Sequence, residues 1–382
     1  TTAVISASYS VFLPRFAHHG HGSLSRLHAL QLAGSVGGIA LLLILGRPGI
    51  LTAYPPYAAA LLVILFVLGL SWRWTAAFAA GGIFWLLVFP LIHHQSNSVL
   101  FETLHRFPVG TVTLYSTYSP YQKIDVLQSP DGTRHLLLNG VSHFASDAGS
   151  RLSVALGAVP AALLEPENVL VIGAGSMQME RMIAPHAGYV TTIEVDPLVV
   201  EAGMDYFDDY NLMSSLDNRR ILIDDAAHFL ANTSEQFHLI SVDIPPSFTA
   251  QTAALYSVPM IQSAADRLAP GGVLAVNLID TFSQEADASR RIAASLLTVF
   301  DEVMVVTPAS AGWSFAYAAA TLPFSRDELS AALREQGESA FIIFDTSAVQ
   351  AIVGDALPIT RSSPSVAHKS SPNHSAGTLE AA

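Results

Sequence analysis

The segment VLVIGAGSMQMERM, residues 169–182, changes from a strand pattern to a helix pattern within a few residues. Four apolar residues lead into Gly173 and Gly175, and a helical pattern begins directly after them. Glycines at such a junction let a ligand approach the backbone, and the first amide groups of the helix face outward toward it. The segment therefore predicts a nucleotide or nucleoside site at a strand-to-helix turn.

The chain around this segment predicts an α/β fold. Strand-like runs alternate with helical patterns after residue 168, and these runs are NVLVIG, VTTIEVD, RILID, FHLISVD and VLAVNLI. Such alternation is typical of βαβ units and a parallel sheet covered on both faces. Three shorter β-type runs precede it, namely TVTLYSTYS, YQKIDVLQS and HLLLNG, with Asp131-Gly132 as a hairpin signal. A small antiparallel β subdomain is therefore expected before the main sheet.

Acidic residues follow three of the predicted parallel strands. Glu194 lies about 20 residues after the glycines, where a carboxylate commonly accepts hydrogen bonds from ribose hydroxyls. Asp224 and Asp225 end the next strand, and Asp243 ends the one after it. Open α/β sheets bind ligands at this carboxyl edge, although Asp at such positions also serves as a helix N-cap.

The first hundred residues have a different composition from the rest of the chain. They contain four arginines and no acidic residue, within a chain that is 51% hydrophobic and 13% charged. Residues 27–46, 57–72 and 74–92 are apolar runs about as long as a bilayer crossing requires, so they predict three transmembrane helices. The alternative is a signal peptide followed by buried core helices.

Several classes of site are disfavoured by composition. Residues 102–382 carry 14 basic and 31 acidic side chains, which argues against a nucleic-acid partner. The absence of cysteine excludes disulfides, thiolate catalysis and Cys-ligated metals. The histidines in HHGHG and at residues 93–94 are read as polar loop residues at the membrane edge, with metal binding as the alternative. No metal site is predicted.

A series of motifs runs through residues 111 to about 358. In order, these are YQKIDVLQSPDGTRHLLLNG, VLVIGAGS, TIEVDP, IDDAAHFL, VDIPPSFTAQTAALYS, LAPGGVLAVN and AGWSFAYA. Through these stretches the chain resembles spermidine synthases and related polyamine aminopropyltransferases. The resemblance implies a Rossmann-like sheet domain of the class I methyltransferase type, preceded by a small β subdomain. It also implies decarboxylated S-adenosylmethionine, or S-adenosylmethionine itself, as a co-substrate, with no permanently bound cofactor.

The resemblance assigns roles to individual residues by motif. In the donor site these are Gln122 beside the sulfonium, Gly173 and Gly175 beneath the ligand, Glu194 on the ribose and Asp225 on the adenine amine. Asp243 matches the carboxylate that deprotonates the attacking amine. An amine with a pKa near 10 must lose a proton before it attacks, so a buried carboxylate suits that role.

The chain departs from the family pattern in the carboxylates that hold the two cationic ligands. Ser176 replaces the family's aspartate that holds the amino group of the donor, and Pro246 replaces a second carboxylate after Asp243. Asn139 replaces an aspartate, and the family's Tyr-His-Glu sequence is absent. The nucleoside half of the site is thus retained and the polyamine half is eroded. An NAD-linked dehydrogenase is disfavoured because Gln178 occupies the place of the third glycine of G-x-G-x-x-G.

Two functional hypotheses follow. The first is a membrane-anchored spermidine-synthase-like transferase that moves an aminopropyl or related group to a small amine. The alternative is a catalytically inactive subunit with a structural role in a larger membrane protein complex. Its partners would be membrane lipid and other membrane subunits, or further copies of the chain.

The predicted organisation is a multi-pass protein of the inner or plasma membrane. Its parts are a membrane domain (1–101), a β subdomain (102–150), a Rossmann-like domain (151–360) and a disordered tail (361–382). Arginine counts near the membrane slightly favour an outside position for the soluble domain. A donor in the cytosol can reach the soluble domain only if that domain lies on the cytoplasmic side. We therefore expect the soluble domain in the cytoplasm, and the orientation in the membrane stays open.

Overall fold

The structure is a computed structural model. It describes residues 72, 73, 76, 80, 84, 100–103, 105–147, 151–173, 175–244, 253–309, 312–338 and 340–360. Apart from isolated positions, the three predicted membrane runs lie outside the described residues, as does the predicted tail. Among the described helices, none combines the length and apolar character that a bilayer crossing requires. The chain divides into two compact units between Lys123 and Ile124.

Strands and helices are numbered here in chain order. The strands are β1 (Val112–Tyr118), β2 (Lys123–Gln128), β3 (Arg134–Leu138), β4 (Val141–Ala145), β5 (Asn168–Ile172), β6 (Tyr189–Glu194), β7 (Arg219–Ile223), β8 (Phe237–Val242), β9 (Leu268–Asn277), β10 (Glu302–Pro308), β11 (Phe315–Ala319) and β12 (Phe341–Phe344). The α-helices are α1 (Arg151–Ser153), α2 (Val159–Leu164), α3 (Gln178–Ile183), α4 (Pro197–Asn211), α5 (Ala226–Asn232), α6 (Val258–Ala265), α7 (Asp287–Val299), α8 (Arg326–Glu335) and α9 (Thr346–Val353). A π-helix, Val154–Ala158, joins α1 to α2, and a 3-10 turn, Met213–Ser215, follows α4.

The hairpin between β2 and β3 forms where the sequence predicts it. The Asp131 carboxylate accepts the Thr133 amide at 3.0 Å, and the Gly132 amide donates to the Ser129 carbonyl. Gly132 has a φ of +92°, a conformation that suits glycine. Strand β4 pairs antiparallel with β3 through a register shift at Leu136/Leu137, and it was not predicted.

The main sheet has eight strands in the order β12-β10-β11-β9-β8-β5-β6-β7. Strands β5 to β9 pair in parallel, which confirms the predicted Rossmann-like core. Strands β10, β11 and β12 add antiparallel pairs to one side. The chain runs from β5 outward through β6 and β7, then returns to the other side of β5 at β8. Ligands of open α/β sheets bind at such a switch point.

Apolar side chains cover both faces of the parallel strands. Val169, Val171 and Leu239 belong to the cluster on one face, and Leu170 and Ile240 to the cluster on the other. Burial on both faces explains why these strands appear in the sequence as nearly continuous apolar runs. The two clusters fix the sheet, and the carboxyl ends of its strands carry the candidate site.

The π-helix is held by hydroxyl groups from the sheet. A π-helix bonds residues five apart, so its carbonyl pattern differs from that of the flanking α-helices. Ser241 Oγ donates to the Leu156 carbonyl at 2.6 Å, and the Tyr317 hydroxyl donates to the Ala155 carbonyl at 2.5 Å. Gly157 lies against α3, because a Cβ atom there would be 2.7 Å from Met179 Cγ. The π-helix thus sets how closely α3 approaches.

We expect Tyr317→Phe to lower the free energy of unfolding by about 1–3 kcal/mol, because it leaves a buried carbonyl without its donor. Urea unfolding of the full chain measures the change. Tyr189→Phe is the matched control, since Tyr189 is 39% exposed. Equal effects of the two substitutions would contradict this role for the Tyr317 hydroxyl.

Candidate functional site

Gly173 brings the end of β5 into direct contact with the residue that follows β8. Its amide donates to the Ile193 carbonyl at 2.9 Å, and its φ is +93°. A Cβ atom at this position would lie 2.1 Å from the Asp243 carbonyl oxygen. Position 173 therefore requires glycine for two separate reasons, backbone conformation and contact with Asp243.

The loop after Gly173 leaves open space at its second glycine. Gly175 has a φ of +49°, and a Cβ atom there would meet nothing within 4 Å. The carbonyl of Ser176 accepts a hydrogen bond from the Asn211 side chain. Met177 also adopts a left-handed conformation, with a φ of +67°, and its side chain is fully buried. The loop is thus fixed from behind and open at Gly175.

Glu194 lies at the carboxyl end of β6 and is 9% exposed. Its Oε1 atom accepts the amide of Asp196 at 2.8 Å. Asp196 is the N-cap of α4, and its side chain accepts the Leu198 amide. The turn between β6 and α4 therefore holds the Glu194 carboxylate in one orientation.

The acidic pair after β7 has two different structural roles. Asp225 is exposed and caps α5, since its Oδ1 accepts the His228 amide at 3.0 Å. Asp224 accepts from His228 Nδ1 at 2.9 Å, and this hydrogen bond lowers its pKa. The Asp224 amide donates to the Glu194 carbonyl at 3.1 Å, so the pair adjoins Glu194. Asp225 thus caps a helix in the structure, and its role on adenine stays a prediction.

Asp243 has the chemistry of a proton acceptor. Part of the residue is accessible to solvent, but its carboxyl group is surrounded by protein. This burial raises its pKa to about 7, and the negative charge of Glu194 acts in the same direction. The Tyr256 hydroxyl donates to the Ile244 carbonyl at 3.3 Å beside it. A carboxyl group with a pKa near neutrality can both accept and return a proton.

Glu180, on α3, is not among the site residues predicted from the sequence. Its side chain is fully buried, and Thr192 Oγ1 on β6 donates to its Oε1 at 2.9 Å. Burial raises its pKa to about 7, with a smaller contribution from the charge of Asp243. Glu180 precedes the buried Ile183 by three residues, so helical spacing places it on the buried face of α3. That spacing is the signal that could have identified it.

Gln122 belongs to the first compact unit, in the turn between β1 and β2. Ser119 Oγ accepts the amides of Tyr121 and Gln122, both at 3.0 Å, and thereby defines this turn. Gln122 is half-buried. The structure brings the other predicted site residues to one sheet edge, whereas the placement of Gln122 beside a sulfonium stays a prediction.

Two further sequence features concern the site. Pro246 lies outside the described residues. Asn139 is described and occupies the turn between β3 and β4 with a φ of +52°. Within the described ranges, no three His, Cys, Asp or Glu side chains converge in a way that could hold a metal ion.

Comparisons with known proteins agree with this geometry. Residues 152–323 match the family model described as the spermine/spermidine synthase domain. Residues 152–323 therefore resemble the domain of this family, and we call them the synthase domain. The synthase domain contains four strand ends of the candidate site, at Gly173, Glu194, Asp225 and Asp243. Gln122 lies before this domain in the sequence.

Curated relatives of the synthase domain are polyamine aminopropyltransferases. One from Mycobacterium tuberculosis is 30% identical over 321 residues, which covers 78% of this chain and 60% of that protein. One from Oceanobacillus iheyensis is 28% identical over 254 residues and is covered to 47% of its length. The chain thus spans about half to three fifths of the length of these two relatives.

Solved structures show the same fold. The spermidine synthase from Thermotoga maritima has a TM-score of 0.51 at 22% identity, covering 64% of this chain and 84% of that one. A probable spermidine synthase from Corynebacterium glutamicum has a TM-score of 0.53 at 19% identity, covering 65% of this chain and 95% of that one. A spermidine synthase in complex with the transition state analogue AdoDATO has a TM-score of 0.50 at 21% identity, covering 64% of this chain and 84% of that one.

Proposed function

We propose that the synthase domain binds an adenosyl sulfonium donor at the carboxyl edge of its sheet and transfers an aminopropyl or related group to a small amine. The donor would be decarboxylated S-adenosylmethionine or S-adenosylmethionine. The observation that carries the proposal is the position of Asp243. Its backbone carbonyl lies against Gly173 of the glycine turn, and burial raises the pKa of its carboxyl to about 7.

The donor half of the proposal rests on the geometry around the glycine turn. Gly175 borders open space, so a ligand can approach the backbone there. Glu194 is held by the Asp196 amide at the next strand end, where a carboxylate can accept hydrogen bonds from ribose hydroxyls. Asp225 follows at the third strand end, and we assign the adenine amine to it. The three positions run in sequence along one edge.

The proposed reaction is a nucleophilic substitution. An ammonium group of the acceptor transfers a proton to the Asp243 carboxylate and becomes a neutral amine. The amine lone pair then forms a bond to the carbon next to the sulfonium sulfur, and the carbon–sulfur bond breaks. The electron pair of that bond stays on sulfur, which becomes a neutral thioether, methylthioadenosine when the donor is decarboxylated. The positive charge moves to the product nitrogen.

Calorimetry and product analysis test the proposal. We expect decarboxylated S-adenosylmethionine or S-adenosylmethionine to bind with a dissociation constant at or below about 100 μM, in the usual range of substrate affinities. With 1,4-diaminobutane present, we expect thioether release that falls at least about 100-fold in Asp243→Asn. Asp205→Asn, an exposed position on α4, is the matched control. No binding heat with either donor would refute the proposal.

The eroded polyamine half supports a second candidate, a catalytically inactive subunit of a membrane complex. Ser176 carries no charge where the family has the carboxylate that holds the donor's amino group, which weakens the attraction for a cationic donor. Residues 27–92 would anchor this subunit in the inner or plasma membrane. We expect the synthase domain to face the cytoplasm if it is an enzyme. Protease accessibility of the full chain in sealed vesicles tests that orientation.

A further inference from the structure

Asn277, the last residue of β9, has a buried side chain with an unused donor group. The residue is 1% exposed, and its Oδ1 atom accepts the amide of Ile279 at 2.8 Å. A backbone amide can only donate, so this bond leaves the NH2 group on the other side of the Asn277 side chain. In the described part of the chain nothing accepts a hydrogen bond from Nδ2, although buried polar groups are normally paired. The NH2 group is thus available to a ligand.

The turn after β9 holds this side chain in place. Ile279 has a φ of +58°, a conformation that β-branched residues rarely adopt. Ser314 fixes the chain on both sides of it, since its carbonyl accepts the Leu278 amide at 2.9 Å and its amide donates to the Asp280 carbonyl at 3.0 Å. The amide that binds Asn277 Oδ1 therefore has a fixed position, and so does the NH2 group.

The register of the sheet places Asn277 beside Asp243. Val242 on β8 pairs with Val276 on β9, and both belong to the apolar cluster on one face. Side chains alternate between faces along a strand, so Asp243 and Asn277, one residue further on each strand, both lie on the opposite face. Neighbouring strands are about 4.8 Å apart. The two polar side chains therefore occupy adjacent positions at the carboxyl edge.

Asn277 lies on the side of Asp243 that faces away from the donor. In the order β9-β8-β5-β6-β7, the glycine turn and Glu194 are on one side of β8, and Asn277 is on the other. Beyond Asn277, the paired residues on the same face are Phe315 on β11 and Val306 on β10, and both are apolar. Asn277 is thus the polar group that these strands present to an acceptor bound at Asp243.

The chemistry of the NH2 group decides which acceptor fits. It can only donate a hydrogen bond, and an ammonium group also only donates, so the second ammonium group of a diamine finds no partner at Asn277. A carboxylate could accept the bond, but the negative charges of Asp243 and Glu194 repel it. A hydroxyl group accepts the bond and carries no charge. The acceptor side therefore fits an amine whose second polar group is a hydroxyl.

We propose that Asn277 is a specificity-determining residue of the acceptor site, where its NH2 group donates to the hydroxyl oxygen of a short primary amino alcohol whose ammonium group lies at Asp243. A spacing of about 4.8 Å between neighbouring strands suits the two ends of a three-carbon chain. This inference rests on the proposed function and names its acceptor class. The bond changes are those of the proposed reaction, and the hydroxyl takes no part in them.

A comparison of two acceptors on the full chain tests the inference. Thioether release from the donor is measured with 3-aminopropan-1-ol and with 1,3-diaminopropane, which differ in one end group. We expect kcat/KM to be at least about tenfold higher for the amino alcohol. In Asn277→Asp we expect the order to reverse, because aspartate still accepts the Ile279 amide but presents a negative charge to the second ammonium group. A parent chain that prefers the diamine would overturn the inference.

Two control variants separate this role from support of the turn. Ser314→Ala removes the hydroxyl that accepts the Phe282 amide at 2.7 Å, so it loosens the same turn without changing the group offered to the acceptor. Asn232→Asp adds the same charge at an exposed position on α5. Neither variant should change the ratio of the two kcat/KM values. If Ser314→Ala changed this ratio as much as Asn277→Asp does, Asn277 would act through the turn alone and the inference would fail.

Binding of the two amines decides the inference if neither donor is turned over. That outcome would count against the proposed function and not against the choice of acceptor. Saturation-transfer NMR without donor should then show tighter binding of 3-aminopropan-1-ol than of 1,3-diaminopropane to the parent chain, and the opposite order in Asn277→Asp. Equal binding of both amines by both chains would overturn the inference.

Discussion

Gly173→Ala is expected to destabilise the protein by about 4 kcal/mol or more and to abolish donor binding. The new methyl group would lie 2.1 Å from the Asp243 carbonyl oxygen, and an L-residue at a φ of +93° is strained in any case. Backbone must therefore move at the junction of β5 and β8, where Asp243 is held. Urea unfolding and calorimetry with the donor measure both effects.

Gly175→Ala is the matched control two residues away. Its φ of +49° lies in the left-handed region, but a Cβ atom there meets nothing within 4 Å. We expect a cost of about 1 kcal/mol from backbone conformation alone. If the two alanine variants were equally stable, the contact between Gly173 and Asp243 could not be the reason for glycine at position 173.

Stability is expected to fall as the pH rises from about 4 to about 7. The pKa of Glu180 is raised from 4.5 to about 7 and that of Asp243 from 3.8 to about 7. The folded protein therefore binds more protons than the unfolded chain between these values. The stabilisation is complete below the unfolded pKa values and is lost as the pH passes through about 7. Each pKa unit corresponds to about 1.4 kcal/mol, so each group contributes roughly 3–5 kcal/mol.

Urea unfolding across this pH range measures the loss of stability. In Glu180→Gln, only the pH-dependent loss of stability that Asp243 contributes should remain. This variant should be more stable than the parent chain above about pH 7. Asp205→Asn should leave the pH dependence as it is, since Asp205 is exposed. A parent chain whose stability rises over this range would contradict the raised pKa values.

The parallel core could be predicted because its local and tertiary signals agree. Strands β5, β6 and β8 are apolar runs followed by helices. Such runs are typical of parallel strands that are buried on both faces. Strands β10 to β12 were missed because β10 pairs antiparallel with both β11 and β12, which departs from the βαβ alternation that predicted the parallel strands. Strand β4 was missed because VSHFA is short and half-polar.

The candidate site was predicted where it depends on strand ends. Gly173, Glu194 and Asp243 each follow an apolar run, so the carboxyl edge of a parallel sheet brings them together. Glu180 was not predicted in this way, because its position against Thr192 depends on how closely α3 approaches the sheet. That approach is set by the π-helix and Gly157, which no local pattern in the sequence announces.

The π-helix also constrains which changes in chain length the domain can accept. A π turn contains one more residue than an α turn at the same place. Removing a single residue from Val154–Ala158 would restore regular α spacing and rotate α1 by about 100° relative to α2. The hydroxyls of Ser241 and Tyr317 would then face a different set of carbonyls. In Val154–Ala158 the number of residues is therefore constrained, in addition to the identity of Gly157.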